Sequence, residues 1–268
     1  MILQAIRSAI FYAVWLAHTV LLAIVVGSIG KLFGRTRVGW ALSMYWVHSS
    51  LFLLRWLVGI RTRIEGVENI PPGPSIFASK HMSDWDIFAL VPLSGKPAFV
   101  AKKELMDIPF FGWAAATYDT IRIDRSLGSG AIPAMIEEAR GALARGCRIV
   151  IFPEGTRRLP LAPPDYRQGI VSMYTGINPV VVPVALDSGL YWSRNSAILW
   201  PGTARARFLP PIMPGLSAEE FKRTLVERIE TETNRMIAEA VEKGVSRPIP
   251  DELRAKLQAL AAGGPTTY

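Results

Sequence analysis

Ser75-Ile76-Phe77-Ala78-Ser79-Lys80-His81-Met82-Ser83-Asp84-Trp85-Asp86 is the stretch on which the reading of this chain turns. Its first five residues form a short apolar run suited to a buried strand, and residues 84–93 carry helical spacing. A strand that passes through an abrupt turn into a helix is the start of a βα unit. The alternation continues downstream. Residues 98–101, 120–124, 148–152, 180–186 and 204–209 read as strands, and residues 132–145 and 217–241 as helices. Gly146 is placed to end the first of these helices, and Ser217-Ala218-Glu219-Glu220 opens the second as a capping box. The pattern predicts an α/β fold with a largely parallel sheet flanked by helices.

Upstream the chain changes character. Residues 8–30 and 38–54 contain no charged side chain, and between them lies the basic stretch Lys31-Leu32-Phe33-Gly34-Arg35-Thr36-Arg37. The first run has the length of a bilayer-spanning helix, about 20 residues. Of the 268 residues half are hydrophobic and 19% are charged, below the roughly 25% of soluble domains, which excludes a disordered chain. The net charge is +8, and its position decides what it means. Residues 1–63 hold seven basic side chains and no acid, whereas the rest of the chain carries 23 basic and 22 acidic ones. Positive charge that travels with the most apolar segment points to an anionic membrane surface and not to nucleic acid. A spanning hairpin would put Lys31, Arg35 and Arg37 on the outer side, against the positive-inside tendency, so a pair of helices embedded in one leaflet is favoured. A cleaved signal peptide and a pair of buried core helices are the other readings. The expected organisation is a membrane-associated two-helix segment at 1–63, an α/β domain at 64–250, and a terminal helix and disordered tail at 251–268. Cys147 is the one cysteine, so no intramolecular disulfide forms, and neither a metal-binding cluster nor a nucleotide-binding glycine loop is present in the sequence.

In open α/β sheets the reactive groups gather at the carboxyl ends of strands. His81 lies in the first strand-to-helix turn and Asp86 in the first helical turn, a spacing that lets a carboxylate orient an imidazole acting as a base. Ser83-Asp84-Trp85-Asp86 reads equally well as a capping box with Ser83 as its cap. After residues 148–152 come Pro153-Glu154-Gly155-Thr156-Arg157-Arg158, where Gly155 lets backbone approach a ligand, Thr156 offers a hydroxyl and Arg157 a fork suited to phosphate. A solvated turn with a Glu–Arg pair is the plainer reading of that loop. Arg125 and Lys102 stand beyond two further strands as additional phosphate donors or as ordinary surface cations. No serine or cysteine stands out as a nucleophile, so direct transfer is expected over a covalent intermediate.

These motifs resemble those of the 1-acylglycerol-3-phosphate acyltransferases, within the wider glycerolipid acyltransferases. His81 and Asp86 match the family's H-x-x-x-x-D, Ile123-Asp124-Arg125 its second motif, Phe152 to Arg157 its F-P-E-G-T-R, and Val181-Val182-Pro183-Val184 its fourth. Lys80, Asp119 and Arg122 depart from the usual residues, and Lys80 and Arg122 add charge near the expected acceptor site. The resemblance implies acyl transfer from acyl-carrier protein or coenzyme A to the sn-2 hydroxyl of lysophosphatidic acid, at the cytoplasmic face of a bacterial inner membrane. It implies His81 as general base, Asp86 as its orienting carboxylate, and Arg125, Gly155, Thr156, Arg157 and Lys102 around the acceptor phosphate, with Glu154 shaping the loop. The thioester is a co-substrate, and no bound cofactor is expected. Another lysolipid acceptor, or a non-catalytic protein that binds anionic lipid, are the alternatives.

Overall fold

The computed structural model describes residues 1–116 and 119–262, apart from the side chains of Phe111, Ala116, Arg125, Leu127 and Ser129. The expected tail at 263–268 lies outside the described residues. The strands are β1 (Ile60–Glu65), β2 (Ser75–Ser79), β3 (Pro97–Lys102), β4 (Ile121–Ile123), β5 (Arg148–Ile151), β6 (Val181–Leu186) and β7 (Gly202–Phe208). They form one sheet in the order β1-β7-β6-β2-β5-β3-β4. The five from β6 to β4 are mutually parallel. β7 runs antiparallel to β6 and carries β1 parallel to itself. β2 therefore sits in mid-sheet, and β2, β3, β4 and β5 all end on the same edge.

β1 is the strand that the hydrophobic pattern does not announce. Its charges, Arg61, Arg63 and Glu65, belong to an edge strand, where they discourage pairing with another chain. The sheet thus begins at Ile60, inside the stretch assigned by sequence to the anchor.

The strands between are buried on both sides, and their residues alternate between two cores. Phe77, Val150, Val182 and Val184 face one core. Ile76, Ala78, Ile149, Ile151 and Val181 face the other. The second core is closed by α6 (Ile132–Ala144), α7 (Gln168–Ile177) and the first half of α8 (Ala218–Glu242). α8 opens with the expected capping box, Ser217 accepting from the Glu220 N–H while the Glu220 side chain accepts from Ser217. The first core is closed by α3 (Trp85–Ser94), α9 (Asp251–Ala261) and the two apolar amino-terminal helices, α1 (Ile2–Phe33) and α2 (Arg37–Leu53). Phe11 and Val47 of the hairpin are buried with Phe88, Val182 and Leu186.

α1 is held along its length. Gln4 Nε2 donates to the Leu199 carbonyl at 2.7 Å and Arg7 Nε to the Leu57 carbonyl at 2.6 Å. At the other end Lys31 Nζ lies 4.1 Å from the centre of the Trp113 ring, and Arg35 in the connecting turn pairs with Asp119 at 2.7 Å. A side chain at Gly27 would strike the Phe110 carbonyl at 2.4 Å, so glycine is what lets α1 close onto the segment before α5 (Phe111–Ala116).

Candidate active site

The β2 end delivers His81 and Asp86 to one another. His81 Nδ1 lies 2.9 Å from Asp86 Oδ2, and the Asp86 side chain is wholly buried. That oxygen also accepts the Met82 N–H at 2.7 Å and the Ser83 N–H at 3.0 Å. Asp86 Oδ1 accepts the Ser83 hydroxyl at 2.9 Å and the Ser188 hydroxyl at 2.5 Å. A carboxylate with this many donors is fixed in place, and its contact with Nδ1 makes that nitrogen the protonated one. The lone pair of Nε2 is then free to take a proton. The His81 ring stacks on Phe152 with centroids 3.9 Å apart and 21° between planes, which sets its orientation from the β5 side.

The capping-box reading of this turn is half right. α3 starts at Trp85 with no side-chain cap from Asp84, and the Ser83 hydroxyl points at the Asp86 carboxylate instead of at a backbone N–H. Asp86 does accept the Ser83 N–H as the carboxylate of a box does, and the same oxygen holds the histidine.

β5 ends in the loop that carries Glu154 to Arg158. Gly155 has φ 65°, a left-handed conformation suited to glycine. Arg157 Nη1 pairs with Asp84 Oδ2 at 2.6 Å, both side chains being about one-third exposed. Burial pushes the Asp84 carboxyl up, with Arg157 pulling it back down. Thr156 lies half-buried on the same loop, and Lys102 stands exposed at the end of β3. Arg125 follows β4, opening a short helical turn, and its side chain is outside the described residues.

Glu154 faces inward. Its carboxylate is 2% exposed, and Lys80 Nζ donates to it at 3.0 Å and to Glu230 of α8 at 2.8 Å. Tyr166 adds a hydroxyl to Glu230 at 2.9 Å. Burial pushes the Glu154 carboxyl up, with Lys80 opposing and Glu230 reinforcing. The expectation that Lys80 adds charge to an acceptor site is corrected here: its ammonium is spent in the interior, tying the end of β2 to the loop after β5 and to α8. Asp119, the second departure, holds Arg35, Arg145 at 2.7 Å and the Cys147 thiol at 3.2 Å.

His81 opens onto a cavity of about 900 Å³. The cavity is walled by Leu22 and Val26 of α1, Val47 of α2, Phe99 of β3, Met135 of α6 and Phe152, and it reaches Gly155 and Lys102. The wall is mostly apolar, which suits an apolar occupant, and His81 is one of the few polar groups on it. Sequence inspection does not find this cavity, since its walls come from elements spread from α1 to α7. Nor does it find Ser188, Tyr166 or Glu230; only the neighbouring positions of β6 and β2 in the sheet bring Ser188 to Asp86.

A family model described as acyltransferase matches residues 61–187. The chain is 32% identical over 257 residues to the 1-acyl-sn-glycerol-3-phosphate acyltransferase of Pseudomonas aeruginosa, covering 92% of this chain and 97% of that one. It is 28% identical over 223 residues to the human 1-acyl-sn-glycerol-3-phosphate acyltransferase alpha, covering 82% and 76%. The crystal structure of the 1-acyl-sn-glycerophosphate acyltransferase PlsC of Thermotoga maritima superimposes with a TM-score of 0.69 at 19% identity, covering 87% of this chain and 97% of that one.

Proposed function

The chain belongs to the 1-acyl-sn-glycerol-3-phosphate acyltransferase family, and from that membership we propose that it moves an acyl group from a thioester to the sn-2 hydroxyl of lysophosphatidic acid, giving phosphatidic acid. The observation that carries this reading is the His81–Asp86 pair set in the wall of an apolar cavity beside the Gly155–Arg157 loop. His81 Nε2 takes the hydroxyl proton as the oxygen attacks the thioester carbonyl. Asp86 stabilises the imidazolium that forms. The tetrahedral intermediate collapses, the carbon–sulfur bond breaks, and the imidazolium returns its proton to the departing sulfur. Arg157, Thr156, Gly155, Arg125 and Lys102 receive the acceptor phosphate, while the buried Glu154 holds the loop. Phosphate competes with Asp84 for the Arg157 guanidinium, and a dianion is the stronger partner.

A panel of acceptors and donors on detergent-purified protein tests the proposal. Turnover is expected with lysophosphatidic acid, and the panel separates acyl-carrier protein from coenzyme A as donor. Turnover confined to a different lysolipid, or lipid binding without turnover, would sink the proposal. Arg157→Ala is expected to raise the acceptor KM roughly tenfold or more by loss of a charge-assisted hydrogen bond, and an unchanged KM removes Arg157 from the phosphate site.

We further propose that the hairpin lies in the cytoplasmic leaflet of the inner membrane. α1 is long and apolar enough to cross a bilayer. It is nevertheless inside out for a helix in water: Gln4 and Ser8 are buried, while Ile6, Ile10, Val14, Leu21, Ile24 and Val25 are exposed. A crossing hairpin would carry Arg35 to the far side of about 30 Å of hydrocarbon. The Arg35–Asp119 pair, together with Gln4 and Arg7 at the opposite end, supports a helix lying along the α/β body instead. With Cys147 replaced by alanine, a cysteine introduced by Arg37→Cys is expected to react with an impermeant maleimide in inverted vesicles only. Reaction in intact spheroplasts would mean that the hairpin spans.

A further inference from the structure

Asp86 has one hydrogen-bond donor that neither its own helix nor its own turn supplies. Ser188 stands 102 residues away in sequence, and its hydroxyl reaches Asp86 Oδ1 at 2.5 Å. It is wholly buried and opens the short helical turn Ser188–Leu190 that follows β6. That turn is fixed from both sides. The preceding Asp187 accepts the Arg205 N–H and the Arg205 Nε, each at 2.7 Å, on adjacent β7. Arg205 in turn reaches Glu239 at 2.9 Å and the Met236 carbonyl on α8. On the other side the turn packs against the Met82 side chain so closely that a side chain at Gly189 would meet Met82 Cβ at 3.0 Å.

The two oxygens of Asp86 divide their partners. Oδ2 takes His81 and two backbone N–H groups, whereas Oδ1 is held, among the described residues, by the hydroxyls of Ser83 and Ser188. Ser83 moves with the turn that bears His81. Ser188 is the one of the two anchored in a different element.

We infer that Ser188 is a positioning residue for acyl transfer: its hydroxyl, placed by the Asp187–Arg205 pair, locks the plane of the Asp86 carboxylate so that Oδ2 meets His81 Nδ1. The inference rests on His81 acting as the base. Beyond geometry, a donor on Oδ1 withdraws negative charge from the carboxylate. Removing it leaves more charge facing His81 and favours the imidazolium, which must lose its proton before it can act.

Ser188→Ala and Ser188→Cys, assayed across pH with lysophosphatidic acid and an acyl thioester, test this. The alanine variant is expected to lose roughly tenfold in kcat, as for a hydrogen bond to a charged group, with the acceptor KM within about twofold. The acid limb of its kcat/KM profile moves to higher pH by roughly half a unit. Cysteine, a weaker donor of similar size, shifts the limb in the same direction by less. The charged neighbours of the pair, Asp84 with Arg157, Lys80 with Glu154 and Glu230, and Asp187 with Arg205, are the same in all three proteins. A limb that stays in place in both variants overturns the inference even where kcat falls, because packing alone would not move it. His81→Ala run alongside separates the two readings. If that variant retains activity the base assignment fails; if it is inactive while Ser188→Ala behaves as wild type, only the role of Ser188 fails.

Discussion

Replacing His81 by alanine is expected to lower kcat for acyl transfer by about 10²–10⁴-fold, the range for a positioned general base. The effect falls on kcat because the proposed phosphate donors sit on other elements, on the loop after β5 and at the ends of β3 and β4, and stay where they are. It does not arise from unfolding. Asp86 keeps four other donors when the imidazole is gone, so no buried charge is orphaned. The loss of the stack on Phe152 is a partly exposed contact, with 15% of the His81 side chain accessible. Steady-state kinetics with lysophosphatidic acid and an acyl thioester decide the matter: a variant that retains more than about a tenth of wild-type kcat rules out the base role.

The second large effect concerns stability. Lys80→Met removes the ammonium that bridges Glu154 and Glu230 and leaves two buried carboxylates with the Arg158 guanidinium, 3.6 Å from Glu154, as the remaining cation among the described residues. Breaking a buried ion pair from one side costs about 3–5 kcal/mol, roughly 6–20 °C in thermal midpoint for a chain of this size. The pH dependence carries the sign of the cause. Burial already raises Glu154 above its ordinary value and Lys80 pulls it back, so without Lys80 the carboxyl rises further. A group raised in the folded state gives its full contribution to stability at low pH and loses it as pH climbs through the folded value. The deficit of Lys80→Met is therefore largest near pH 8 and shrinks toward pH 5, where a protonated carboxyl needs no counter-ion. Differential scanning fluorimetry at the two pH values measures it; an equal deficit at both would show that the lost side chain mattered for packing and not for charge.

The strands that place the site were legible because a parallel strand buried on both faces reads as an unbroken apolar run, and β2, β5 and β6 do so. Their order was not, since β7 and β1 reverse direction at an edge whose charged residues look like surface. The His81–Asp86 spacing is local and could be read from sequence. Lys80 could not, because the partner that explains it lies 150 positions away on α8, and a lysine near a strand end is exposed by default. The packing of the hairpin on the sheet was hidden for a different reason. α1 is apolar nearly all round, so periodicity does not distinguish the face against the protein from the face turned outward. The inner side is marked by the buried Gln4 and Ser8 as well as by Phe11, Val26 and Gly27, and polar residues are not where one looks for it.

Leu22 and Val26 belong to the helix whose other face is apolar and exposed, so with the hairpin in the leaflet as proposed the binding chamber and the lipid would share one wall. An acceptor drawn from that leaflet would reach His81 without leaving a fluid two-dimensional phase. For such a catalyst the governing concentration is lateral: the mole fraction of lysolipid in the surface, not its amount per litre. Turnover would then be a reading of membrane composition, rising as lysolipid accumulates in the leaflet and falling as its product dilutes it.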